Sequence, residues 1–235
     1  MGNLIIKGKG GAGNKLILQD QAGGAVLTTA DSGASLGTIS GGTLASGVVF
    51  PAGHVLQIQT SHLKDVWTYT NSSAWDWGTA TTRGNQSHGS IIDDLSITVT
   101  AKGTNSDFYL LLNLDQVGNS DMDGGYGLAV NIYSSADTYA NPVDRGNQAG
   151  NRTRVMTGSW MRHGAGEFAN ITLVANLKHT GASIAKGATI SYRVAMSSHY
   201  TSGGNTLWIN KYNTDADAAY SMRSVSTLQV TEVAT

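Results

Sequence analysis

The chain has 235 residues, enough for one sizeable domain and an appendage, and no cysteine, which removes disulfide scaffolds, cysteine-ligated zinc and thiol chemistry together. Its 15 basic residues against 16 acidic ones leave a formal net charge of -1, so no overall field draws it to nucleic acid or to an anionic membrane. Thirty glycines with only two prolines, and charged residues at 13%, favour short strands joined by turns over helices.

The opening MGNLIIKGKGG lacks the apolar core and cleavage site of a signal peptide, so no leader is expected there. No apolar run reaches the roughly 18 residues of a membrane-spanning helix, and no membrane insertion is expected. Through residue 50, short apolar pieces (LII at 4–6, LIL at 16–18, AVL at 25–27) alternate with glycine-rich breaks. None encloses a core alone, because each buries too little apolar surface to offset its ordering entropy. Residues 1–50 therefore read as an extended, glycine-rich β arm that orders by packing on copies of itself or on a partner, with disorder as the alternative. Every tryptophan and tyrosine lies beyond residue 50, which sets residues 51–235 apart as a domain with its own core.

In that second part β-rich or alternating stretches recur: HVLQIQTS at 54–61, SITVTAK at 96–102, DFYLLLNLD at 107–115, YGLAVNIYS at 126–134 and RVMTGSWM at 154–161. FANITLVANL at 168–177, ATISYRVAMSS at 188–198, TLWINKY at 206–212 and STLQVTEV at 226–233 follow. Between them stand NSS, GTNS, GNSDMDGG, TSGGN and NTDADAA, all turn chemistry. No stretch keeps a capped 3.6-residue apolar period. The expected fold is all-β, an antiparallel jelly roll or related sandwich.

Several motifs resemble catalytic signatures without their context. GKGGAG at 8–13 satisfies G-x-G-x-x-G, but no helix follows to hold a pyrophosphate, and a flexible turn is the expected reading. GASLG at 33–37 matches G-x-S-x-G, yet Ser35 stands in a Gly/Ser/Thr stretch with neither a buried strand before it nor a helix after it, and with no histidine–acid pair that spacing selects. Glu167 and Glu232 are the sole glutamates, and no carboxylate pair across a groove is selected, so glycosidase chemistry finds no support. The histidines have no metal-binding spacing and read as ordinary sandwich residues. Arg152, Arg154 and Arg162 beside Trp160 and His163 read as a solvated strand face rather than a nucleic-acid site. NSS at 71, NQS at 85, NRT at 151 and NIT at 170 are acceptor triplets for glycosylation that an Asn- and Ser-rich chain produces by chance. No catalytic residue and no cofactor is expected.

One turn holds a dense set of oxygen ligands: Asp115, Asn119, Asp121 and Asp123 in DQVGNSDMDGG. Hard cations take several oxygens from one tight turn, which makes Asp115, Asp121 and Asp123 candidate metal ligands. The closing bidentate glutamate of a calcium loop is missing, and an inter-strand turn explains the same residues.

At LGTISGGTLASGVVFPAGHVLQIQ (36–59) the chain resembles a module that precedes the C-terminal domains of tail-fibre-like structural proteins of marine tailed phages, cyanophages above all. The likeness runs through Leu36, Gly37, Thr38, Gly42, Thr43, Leu44 and Phe50-Pro51-Ala52-Gly53-His54. The upstream LILQDQAGG is similar to that family's N-terminal repeats, and residues 190–234 to its closing strands. Leu207-Trp208-Ile209-Asn210-Lys211 departs from the family's closing "YINR", and Thr231-Glu232-Val233 from its "MEI". The middle of the chain, 60–150, matches loosely. The resemblance implies a trimeric jelly-roll head, similar to tumour-necrosis-factor-like heads, on a trimeric shaft. It further implies a virion structural protein at the particle surface, attached to other virion proteins through residues 1–50 and contacting a host glycan or protein. A capsid decoration protein is the main alternative, and a polysaccharide-degrading tailspike a further one.

The outward contact is expected in WTYTNSSAWDWGTATTRGNQSHG (67–89), at Tyr69, Trp75 and Trp77, in loops rather than on sandwich strands, because these aromatics stand among polar turn residues. The spacing of Trp75 and Trp77 equally fits a strand that buries one face.

Overall fold

A computed structural model describes residues 51–71, 90–120, 127–147, 154–160, 171–198, 205–212, 217 and 222–235, and, of the first fifty, three short strands. The chain divides into two compact units, Met1–Val49 and Phe50–Thr235. In the first, β1 (Ile17–Gln19), β2 (Ala25–Ala30) and β3 (Gly33–Leu36) pair antiparallel in that order. Ser35 lies inside β3, opposite Thr28, so it sits within a strand and not at the strand-to-helix turn of a nucleophile elbow.

The second unit is built from β4 (Val55–Leu63), β5 (Trp67–Asn71), β6 (Ser90–Ile91), β7 (Ile97–Thr100), β8 (Asp107–Asn119) and β9 (Gly127–Ser134). β10 (Thr157–Trp160), β11 (Ile171–His179), β12 (Thr189–Ser198), β13 (Asn205–Ile209) and β14 (Ser226–Val233) complete it. One antiparallel sheet runs β4-β14-β8, with β11 on the free edge of β8. The other runs β10-β9-β12, with β6 and β7 end to end along the remaining edge of β12. Along the chain, β4 and β5 lie in the first sheet, β6 and β7 in the second, β8 in the first, β9 and β10 in the second, β11 in the first, β12 in the second, and β13 and β14 in the first again. The result, with first strand beside last in one sheet, is a jelly roll.

Side-chain alternation produces the core. β14 alternates buried and half-buried positions throughout, and β7 alternates buried and exposed ones, so one face of each strand enters the space between sheets. Phe108, Leu110, Leu112 and Leu114 from β8 meet Val130 and Ile132 from β9, Tyr192 and Val194 from β12, and Leu228 and Val230 from β14. β8 keeps its alternation as far as Asp115 and then turns to buried positions on both sides. The cause is a bulge: Gln116 takes φ +48°, and the β11 register slips between Ile171 and Leu173. Beyond the bulge β8 leaves β14 and pairs with β13, which in turn carries β5.

Asn210, at φ +62° and fully buried, stitches that switch together. Its backbone N–H donates to the Asp115 carbonyl at 3.1 Å, and its side-chain amide donates to the carbonyls of Leu63 at 2.7 Å and Asp65 at 3.1 Å. The amide oxygen accepts from the hydroxyls of Ser226 at 2.7 Å and Ser224 at 3.3 Å. Asparagine tolerates the left-handed region better than other side chains, and its amide satisfies backbone groups that the broken ladder leaves open.

At the other end of the sheet, Pro51-Ala52-Gly53-His54 forms a turn closed by the His54 N–H on the Pro51 carbonyl, with Gly53 at φ +84°. A type II turn needs a positive φ at that place, which glycine takes without strain. Backbone bonds of 2.8 Å in both directions between this turn and Ala234 tie it to the chain's last strand. Nearby, the fully buried Glu232 carboxylate accepts from the backbone N–H groups of Lys102 and Gly103, each at 2.8 Å, and from the Gln57 amide at 2.5 Å. A buried carboxylate is tolerated where several donors replace the water it lost.

Candidate functional site

Two features of the jelly roll offer something to another molecule. The first is the outward face of the β4-β14-β8-β11 sheet. The register sets Ile58, Thr231, Tyr109 and Lys178 in one row across the strands, with Thr60, Gln229, Leu111 and Asn176 in the next. Ile58 is 58% exposed, Val174 57%, Leu111 44% and Tyr109 40%, large apolar side chains on a surface made mostly of Thr, Gln and Asn, with His62 in the row of Val174. Charge is confined to the ends of the face: Lys178 is bonded to Asp107 at 2.6 Å and lies over the Tyr109 ring, and the Asp115 carboxylate accepts from the Thr172 hydroxyl. The hydrogen bond that Lys178 donates to the Asp107 carboxylate holds its ammonium above the ordinary lysine range. Exposed apolar area clustered on a sheet with little charge is the composition of an interface core.

The second feature is a cleft of about 330 Å³ where the ends of β9, β11 and the start of β12 meet. His179, the last residue of β11, forms part of its wall. Its Nδ1 is 2.8 Å from the Tyr192 hydroxyl, the two rings meet edge to face at 5.6 Å, and Phe108 packs behind both. Burial pushes the Tyr192 phenol far above its usual range, and the Glu232 charge adds to this. Burial also pushes His179 below the usual imidazole value, against the opposing pull of Asp137 and Asp107. Both groups are therefore neutral near pH 7.

Asp137 stands on the same wall, in a 3₁₀ turn over Ser135–Asp137. Ser134 caps that turn by accepting from the Ala136 N–H, and an Asp137 oxygen accepts from the Asn141 N–H. Thr138 and Tyr139 follow with φ +59° and +60°, successive left-handed residues that the surroundings must hold in place. The Arg193 guanidinium does so from above, 4.5 Å from the Tyr139 ring.

The residues singled out from sequence fare differently. Tyr69, expected in an outward loop, instead lies on β5, half-buried, stacked on Trp67 at 6.2 Å and packed against the core. Pairing with β13 makes a strand of a stretch whose polar threonines hide the alternation. Trp75 and Trp77 lie outside the described residues, as do Asp121 and Asp123. Asp115 is described, and its Oδ1 already accepts from the Gln116 N–H at 2.9 Å and the Thr172 hydroxyl at 2.6 Å, so this carboxylate serves the bulge. Among the described residues no three metal-capable side chains cluster. Arg154 donates to the Gly146 carbonyl at 2.7 Å, while Arg152, Arg162 and His163 lie outside the described residues. His179, Tyr192 and Asp137 were not singled out. Nothing in their sequence spacing relates them, since they meet only when β11 and β12 close over β9.

No family model matches the chain, and no curated protein matches it in sequence. Among solved structures, the infectious bursal disease virus VP2 subviral particle superimposes with a TM-score of 0.32 at 14% identity, over 88% of this chain and 50% of that one. The chain thus spans about half the length of that protein. At a score this low two chains need share no more than a wealth of strands.

Proposed function

We propose that this chain is a non-enzymatic structural protein of a virus particle, built as a homotrimer and displayed at the particle surface. The observation that carries the assembly is the outward face of the β4-β14-β8-β11 sheet, where Ile58, Tyr109, Leu111 and Val174 are exposed with almost no charge among them. A second copy of the chain is the occupant that such a face fits, because a nearly uncharged surface meets itself without like-charge repulsion. The assignment to a particle rests on the sequence resemblance through residues 36–59 and the closing strands. In this reading residues 1–50 join other virion proteins, and the jelly roll of 51–235 faces a host glycan or protein. Three heads on one shaft bind with avidity, so weak individual contacts sum to lasting attachment.

A fibre and a capsid decoration protein differ in number: a fibre is present in tens of copies per particle, a decoration protein in hundreds. Quantitative mass spectrometry of purified particles separates them. Light scattering on the full-length protein tests the trimer, and a stable monomer at micromolar concentration overturns it. Release of reducing sugar from a host polysaccharide would move the assignment to a tailspike enzyme.

A further inference from the structure

The cleft beside His179 has a chemistry of its own, independent of the assembly proposed above. The Tyr192 ring is fully buried and its hydroxyl is held as a neutral phenol, so that O–H must donate to something. Its partner is Nδ1 of His179, at 2.8 Å. Were Nδ1 to carry the proton instead, the phenol hydrogen would be left without an acceptor, a buried donor unmet. The neutral imidazole therefore accepts at Nδ1 and carries its hydrogen on Nε2, an atom with no partner among the described residues. The Tyr192 and Phe108 rings clamp the imidazole, so the Nε2–H is a fixed donor on the wall of the cleft.

Asp137 supplies the complementary acceptor, and the exposed Ser183 a hydroxyl that serves as either. Val143, Pro142 and Ile184 give the same cleft an apolar side. Among the described residues no Lys or Arg lines it, and the Asp137 carboxylate repels anions, which disfavours phosphate or carboxylate ligands. The combination suits a molecule with adjacent hydroxyls on one edge and a C–H face on the other. At about 330 Å³ the cleft is at the small end of ligand pockets, which run from about 300 to 1,000 Å³.

We propose that this cleft binds a neutral pyranose ring, a terminal sugar of a glycan, with Nε2–H of His179 donating to one ring hydroxyl and Asp137 accepting from a neighbouring one. The Thr138–Tyr139 backbone, held in its left-handed conformation under Arg193, sets the position of Asp137 on the rim.

The test uses the full chain labelled with ¹⁵N at histidine and titrated to high-millimolar concentration with the methyl pyranosides of glucose, mannose, galactose and N-acetylglucosamine, and separately with inorganic phosphate. At least one pyranoside should shift the His179 Nε2 resonance saturably while the other histidines stay put. Asp137→Asn should weaken that sugar about tenfold, since a charge-assisted hydrogen bond becomes a neutral one. Ser183→Trp, at an exposed position, should fill the cleft and abolish the shift while leaving the remaining spectrum unchanged. If no pyranoside shifts His179, if phosphate alone does, or if the shift survives both substitutions, the proposal is overturned. The oligomeric state is measured in the same samples, so failure of the sugar site and failure of the trimer are read separately.

Discussion

Asn210 and Ser226 share a 2.7 Å hydrogen bond, and neither is exposed to solvent. Ser226 in turn accepts from the Asp115 N–H at 2.9 Å, so a single buried hydroxyl links the β8 bulge to the residue that bridges β13 and the β4–β5 corner. This is where the sheet changes partners, and its stability is concentrated in one amide. Asn210→Ala should cost about 3 kcal/mol or more, through unmet carbonyls at Leu63 and Asp65 and through an alanine forced to positive φ. Asn210→Gly loses the same bonds but not the backbone comfort, and should cost less than alanine. Urea denaturation of the two variants gives the order, and equal losses would show that the backbone conformation plays no part.

Glu232 gives a second check. Its carboxylate accepts from Lys102, Gly103 and Gln57, and an amide in its place would turn an NH₂ toward those donors. Glu232→Gln is expected to lose about 2–3 kcal/mol despite its near-identical shape. A melting temperature unchanged from the parent would mean that the carboxylate is replaceable by any group of that size.

His179 predicts a pH dependence. Its folded value lies below the ordinary imidazole value of 6.5, lowered by burial and opposed by Asp137 and Asp107, with Tyr192 and Phe108 as its other neighbours. Below pH 6.5 the unfolded chain takes up a proton that the folded chain resists, so the unfolded state binds more protons and folding weakens. The stability is present in full above pH 6.5 and is lost as pH falls through the folded value. Melting temperature should therefore drop on acidification from neutrality, and His179→Gln should flatten that part of the profile. An identical profile in the variant would place the titration on other groups.

The sheet face makes an assembly prediction. Leu111 is 44% exposed and points away from the core, so Leu111→Asp should leave the jelly roll folded. A charge in the middle of a self-interface is desolvated at every copy, which should convert a trimer to a monomer and make the melting temperature independent of protein concentration. Sedimentation velocity reads the mass directly. A variant that stays trimeric would move the interface to another surface.

Much of the strand inventory was legible because alternation is a local property. Ser226, Leu228, Val230 and Glu232 share the buried face of β14, as a period of two requires. The turn at Gly53 was not singled out, although Pro-Ala-Gly is turn chemistry and the chain turns there. β5 was not legible, since Thr68 and Thr70 face outward and only β13 alongside gives Trp67 and Tyr69 a buried side. The role of Glu232 was equally hidden. Alternation places it on an inner face, but its backbone donors at Lys102 and Gly103 are 130 and 129 residues away. The same holds for His179 and Asp137. An imidazole at the end of an alternating strand has no partner visible nearby in the chain, and its cleft exists only once β11 and β12 stand against β9. Side-chain direction follows from the backbone of a few consecutive residues; which strands become neighbours follows from a whole core closing at once, and the polar contacts that define a site come only with those neighbours.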